Sequence, residues 1–229
     1  FEGVSYRRDT RAYDDYAIDP EDRAEIGRAI REARQHADLV IVAIHAHQCA
    51  RNCGDTSAPQ VPAEILKTIA HDAIDAGGDV FAASGIHNLG PIEIYRERPI
   101  FYGLGNFFWS DIIEPVPHEL FQINRTLMEQ GYAHPERATD YDLTAPLNAT
   151  SFNNDFTFQS VLAQVRFAGG RLAEIRLNPV WLGYGETLRT SGTPRLESDP
   201  ARAMAIFDAI ADRARAYGLP PLRMRIEKG

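Results

Sequence analysis

Leu39 to Ile44 is an unbroken apolar run rich in β-branched residues, the pattern of a strand buried on both faces. From Pro62 to Ala76, residues Ile65, Leu66, Ile69, Ala73 and Ile74 recur at helical spacing, and Gly77 stands just past them as a stop. A second short apolar run covers Asp79 to Ala83. Strand, helix and strand in that order predict a βαβ unit with parallel strands. Upstream, Asp19-Pro20 opens a helix ending near His36, with Ile26, Ala29, Ile30, Ala33 and Ala37 as its buried stripe. Its other face, Arg23, Arg28, Arg31 and Glu32, is a solvated surface, and His36 is exposed by this reading.

Downstream, Pro91–Tyr95 and Pro99–Tyr102 form a hairpin turning through Arg96-Glu97-Arg98. Phe158–Phe167 and Leu172–Leu177 alternate apolar and polar positions around Ala168-Gly169-Gly170, a second hairpin with one buried face. Asp199-Pro200 begins a last helix through Tyr217 that Gly218 closes, and Leu222, Met224 and Ile226 alternate as an edge strand. Ser110 to Asp155 keeps neither period and is too long for an ordinary loop. It reads as a lid or substrate-binding insertion, with Phe121, Tyr132 and Tyr141 suited to packing on a substrate side chain. The whole, 1–229, reads as one α/β domain.

Ligands of open α/β sheets collect beyond the carboxyl ends of the strands. Here both such ends carry histidine: Ile44-His45-Ala46-His47 after the first strand and Ser84-Gly85-Ile86-His87 after the second. In extended chain, residues two apart face one side at roughly 6.5–7 Å, so His45 and His47 can aim two imidazoles into one space. His87 approaches from the neighbouring strand end. Neutral imidazole is both the commonest nitrogen ligand of transition metals and the side chain best tuned for proton transfer near neutral pH. His45, His47 and His87 are therefore candidate metal ligands, and His87 and His47 the candidate acid/base pair. Ser84, Gln48 and Asn106 are candidate substrate-binding groups at the same edge. His71, His118 and His134 carry no such pattern.

Charge narrows the partners. A formal net charge of −8 with no basic cluster speaks against nucleic acid, and no stretch approaches the ~18 apolar residues of a membrane-spanning helix. A cytoplasmic location is the expectation. The only two cysteines, Cys49 and Cys53, sit in the loop after His47. A three-residue gap fits a bridge, free thiols or two metal-ligating thiolates; the loop pair without metal is preferred.

ADLVIVAIHAHQ, then AIDAGGDVFAASGIHNLGPIEIYRERPIFYGLGNFFW, resembles the CapA-like family, named for poly-γ-glutamate capsule synthesis. The segments IEIY…PIFY and LGNF are the specific part. The resemblance implies the calcineurin-like metallophosphatase sandwich, a divalent ion (calcium, magnesium, manganese or zinc) and carboxylate ligands from an N-terminal half. Nothing before Leu39 has the form of that half, so the chain is expected to hold the C-terminal half of the fold and to need the other to complete its site.

Two departures bear on the chemistry. The family's Gly-His-x-Pro-His reads Ala83-Ser84-Gly85-Ile86-His87 here, so Ser84 replaces an imidazole, and Gln48 stands where many relatives have Glu. Both changes weaken a two-metal phosphoesterase site. Some proteins of this fold are lasso-peptide epimerases, and the expectation adopted is a metal-dependent acid/base enzyme of that kind on a peptide substrate. A hydrolase of phosphoesters or of poly-γ-glutamate is the alternative, and a non-catalytic scaffold the reading from another class.

Overall fold

The computed structural model describes residues 16–51, 59–109, 154–186 and 190–226. The insertion expected from Ser110 to Asp155 lies outside these up to residue 153, with Phe121, Tyr132, Tyr141, His118 and His134; so do Cys53 and residues 1–15.

Asp19 caps α1 (Pro20–His36), its Oδ1 accepting from the Glu21 amide at 2.8 Å. Helix α2 (Glu64–Asp75) buries Leu66, Ala70, Ala73 and Ile74, the stripe its spacing requires. Between the two helices runs β1 (Ile41–His45), which pairs in parallel with β4 (Val80–Ser84), matching Ile41 to Val80 and His45 to Ser84. The βαβ unit is therefore present. β5 (Ile92–Tyr95) and β6 (Arg98–Phe101) form the hairpin, and β6 also joins β4 in parallel, giving the sheet order β1-β4-β6-β5. Its tight turn places Arg96 and Glu97 at φ 48° and 61°, a left-handed pair made without glycine.

The apolar run of β1 is not buried on both faces, as its composition suggested. β1 is the edge of the sheet; Val42 and Ile44 pack on the α2 side, while Ile41 is 61% exposed on the other. The stripe expected on α1 is also thinner than its spacing implies. Only Ile30 is buried, and Ile26, Ala29, Ala33 and Ala37 face solvent, because Ile30 is the one residue of α1 in the core it shares with α2 and the sheet. Two short strands were not expected: β2 (Cys49–Arg51) and β3 (Val61–Pro62) pair antiparallel and close the chain between β1 and α2. Cys49 within β2 is buried and disulfide-bonded, which settles it as a bridge and not a metal-binding thiolate.

One face of the sheet packs on α1 and α2 through Phe81, Ala83 and Ile100. The other, through Val80, Ile92 and Phe101, meets a hairpin of β7 (Gln159–Ala168) and β8 (Arg171–Trp181) and the helix α3 (Pro200–Ala216). The Gly169-Gly170 turn and the Asp199 cap stand where the pattern put them. A two-residue β9 (Arg195–Leu196) adds to β8. Residues 221–226 form no strand: Pro220-Pro221 offers no amide, and among the described residues no strand edge pairs with them. His71 is half-buried on α2, stacked on Tyr95 at 3.9 Å and bonded to Glu93, which also accepts from the Tyr102 hydroxyl at 2.7 Å.

The floor of the sheet, opposite the histidines, is fixed by one carboxylate. Asp79, 6% exposed, accepts from the Val40 amide at 2.9 Å and pairs with Arg34 of α1 at 2.5 Å and Arg98 of β6 at 3.3 Å. Asp79→Ala would leave a buried amide and two arginines without their acceptor. Because both arginines keep some contact with water, the expected loss is about 3 kcal/mol, below the full cost of breaking a buried pair. Urea unfolding checks this, with Asp79→Asn losing less because its amide oxygen still serves Val40; equal stability of all three proteins would refute it.

Candidate active site

His45 closes β1 and therefore shares the face of Ile41 and Ala43, while His47 lies two residues further on, beyond the strand. Between them Ala46 is buried and its amide donates to the Ser84 carbonyl at 2.8 Å, carrying the β1–β4 pairing one step past the strand. The chain then leaves β4 through Gly85 at φ 114°; a Cβ there would stand 2.4 Å from the Ala46 carbonyl oxygen. Only glycine allows this backbone-on-backbone approach. It brings His87 to the His45/His47 pair.

The three imidazoles form a row. His45 and His47 approach edge-on, with ring centres 4.8 Å apart and their Nε2 atoms 2.9 Å apart. His47 and His87 lie at 5.6 Å with rings tilted by 47°. The other nitrogen of His45 is 3.0 Å from the Ser84 hydroxyl, so Ser84 holds a histidine instead of standing in for one. His87 itself sits at φ 51°, a left-handed backbone costing of order 1 kcal/mol for a side chain of this kind. Its Nδ1 is 3.1 Å from Oδ1 of Asn106. The Asn106 amide group donates to the Thr157 carbonyl at 3.1 Å and to that of His87 at 3.4 Å, so its hydrogen bonds in the structure go to protein groups. Gln48 is exposed and its carbonyl accepts from Ala63.

Two neighbours were not singled out from the sequence. Trp109 sets its ring edge-on to His87 at 5.9 Å, and Thr157 anchors Asn106 from the short 3-10 turn (Asp155–Phe158) that precedes β7. Trp109 ends the run that carries the family resemblance and could have been found there; a backbone carbonyl such as that of Thr157 leaves no sequence signal. Phe107 and Phe108, between Asn106 and Trp109, are both largely exposed.

Partial withdrawal from water, then the nearby charges of His45 and His87, hold the His47 imidazole below its ordinary range. It therefore stays neutral, able to ligate or take a proton, at pH values where a free histidine is charged. Metal bonds of ~2.0–2.1 Å place two nitrogens about 2.9 Å apart at the right angle of a six-coordinate ion and about 3.3 Å apart at the tetrahedral angle of zinc; the 2.9 Å between the His45 and His47 Nε2 atoms, also a hydrogen-bond length, matches the first. These two fit as neighbouring ligands of one ion. A third does not join them: among the described residues no group of three or more His, Cys, Asp or Glu side chains is arranged to hold an ion. No helix among the described residues is long and apolar enough to cross a membrane.

A family model described as bacterial capsule synthesis protein PGA_cap matches residues 3–110, the segment holding all three histidines and Asn106. An uncharacterized protein of Sinorhizobium fredii is 33% identical over 226 residues, covering 94% of this chain and 46% of its own length. The PGA biosynthesis protein CapA of Bacillus subtilis is 38% identical over 81 residues, 35% of this chain and 19% of that protein. A probable polyglutamine synthesis accessory protein of Mycobacterium tuberculosis is 34% identical over 82 residues, 36% of this chain and 20% of that protein. The chain thus spans less than half the length of these relatives.

Proposed function

The chain belongs to the CapA-like family of bacterial capsule synthesis proteins, and from that premise we propose that its histidine row is part of a metal-assisted acid/base site acting on a peptide, removing and returning an α-proton. The observation that carries the reading is the division of the row. His45 and His47 present two nitrogens at ligand spacing from one strand end, while His87 comes from the other and is held separately by Asn106. Epimerisation needs two proton-moving groups that address one carbon from different sides, and positive charge or donors beside the carbonyl. His87 is one of these groups and His47 the other, with His45 nearer the ion. A divalent ion, calcium, magnesium, manganese or zinc, would supply the charge. Ser84, bonded to His45, orients that ring and leaves one imidazole fewer than two ions require.

The family implies a metallophosphatase-like fold. Poly-γ-glutamate is the substrate of the second reading, favoured by the name of the Bacillus relative, with hydrolysis in place of epimerisation.

Incubating the full-length protein with candidate peptides in deuterated water separates these readings. Deuterium at a single α-carbon with mixed stereochemistry supports epimerisation. Chain shortening of poly-γ-glutamate or turnover of a phosphodiester, without solvent deuterium, returns the protein to the hydrolase reading, and no turnover of any kind leaves a scaffold. Elemental analysis gives an independent result: the purified protein is expected to carry a divalent ion that His45→Ala loses. Full activity of ion-free protein in chelator would refute the metal.

A further inference from the structure

We infer that Asn106 is a positioning residue that fixes the tautomer of His87, with the proton on Nδ1 and the lone pair on Nε2. The inference rests on the proposed acid/base role of His87 for its use in catalysis, but the tautomer follows from the hydrogen bonds alone. An asparagine amide has one accepting and one donating end. The Asn106 nitrogen lies against two carbonyl oxygens, those of Thr157 at 3.1 Å and His87 at 3.4 Å, both of which can only accept. Turning the amide over would set its oxygen against both, so the nitrogen belongs there and Oδ1 faces Nδ1 of His87 at 3.1 Å. An acceptor oxygen at that distance requires Nδ1 to carry hydrogen. In the neutral ring Nε2 is then the basic nitrogen.

The same bonds address the backbone. His87 holds φ at 51°, and the bond to its own carbonyl helps to hold that conformation. Asn106 thus ties both ends of the residue, ring and carbonyl, to Thr157 in the turn just before the β7–β8 hairpin. In this proposal the Asn106 amide acts through the histidine, where the sequence reading had it binding substrate.

Long-range proton–nitrogen NMR of the full-length protein labelled with 15N-histidine reads the tautomer directly, at a pH above the imidazole range, with the His87 signals assigned by their loss in His87→Ala. The wild-type ring is expected to show a protonated Nδ1 and an unprotonated Nε2. In Asn106→Ala the signals should move towards the Nε2–H form that a free ring prefers. On the peptide substrate, Asn106→Ala should lower kcat about 10- to 100-fold with KM nearly unchanged. A wild-type ring carrying its proton on Nε2 overturns the inference, whether or not any variant folds. So does an Nδ1–H ring that persists in folded Asn106→Ala. An Nδ1–H ring that depends on Asn106 in a protein with no epimerase activity upholds the tautomer and removes the proposed reaction instead.

Discussion

Replacing His87 with alanine is expected to lower α-proton exchange by about 10²–10⁴-fold while leaving the bound ion in place. The two effects separate because the row of imidazoles is divided. His45 and His47 stand at ligand spacing, whereas the ring of His87 lies 5.6 Å from that of His47 and its Nδ1 is engaged by Asn106. Removing His87 would therefore take away the proposed proton carrier and not the pair that would hold charge. His45→Ala should do the reverse, losing the ion first and activity through it. The pH profile follows from His47, held below the ordinary imidazole range by partial burial and by His45 and His87. A depressed value keeps the ring deprotonated to lower pH, so the acid limb of the rate should fall below the ordinary imidazole range. For stability the sign is the same: the unfolded chain binds more protons than the folded one between the two values, so stability rises with pH across that window. Ion analysis and exchange rates on the two variants check the division; loss of the ion in His87→Ala would merge the two roles and refute it.

The βαβ unit and its histidines were legible because they rest on local pattern. The helical spacing of Leu66 and Ile74, the β-branched run before His45 and the glycine after Ala76 each act within a few residues. The capping aspartates were legible for the same reason: Asp19 and Asp199 each precede a proline at the first helical position. What failed was burial. The composition of β1 reports that the strand can be covered on two faces, but whether it is depends on the layers around it, and in this chain Ile41 meets solvent. The alternation of Leu222, Met224 and Ile226 failed likewise, since a strand needs an edge to pair with and the pattern carries no information about one.

At the site, identities were legible and partnerships were not. His45, His47 and His87 converge as the topology requires, because a parallel pair brings equivalent ends together. That Ser84 would bond to His45, or that the amide of Asn106 would be shared between His87 and Thr157, depends on side-chain rotamers and on a β7 hairpin some fifty residues away. Long-range polar contacts of this kind have no period and no propensity behind them.

Gly85→Ala should damage fold and site together, and more than any other glycine substitution at the histidine row. The added Cβ would stand 2.4 Å from the Ala46 carbonyl oxygen and 2.9 Å from its amide nitrogen, all of them backbone atoms. No rotamer change relieves such a contact; the two strand ends must part. The amide of Ala46 would then lengthen its 2.8 Å bond to the Ser84 carbonyl, and His47 would move away from His87. Overpacking of this kind together with an alanine held at φ 114° is expected to cost about 3 kcal/mol. Gly169→Ala separates the two contributions. Its φ of 57° carries the left-handed penalty, but nothing lies within 4 Å of the new Cβ, so the expected cost is only about 1 kcal/mol. Activity divides the pair more sharply. Gly169 sits at the tip of the β7–β8 hairpin and its substitution should leave exchange unchanged, whereas Gly85→Ala should lower it even where the protein remains folded. Urea unfolding and exchange rates on both variants give the answer: equal losses of stability, or full activity in Gly85→Ala, would show that the close approach of Gly85 to Ala46 does not hold the histidines in register.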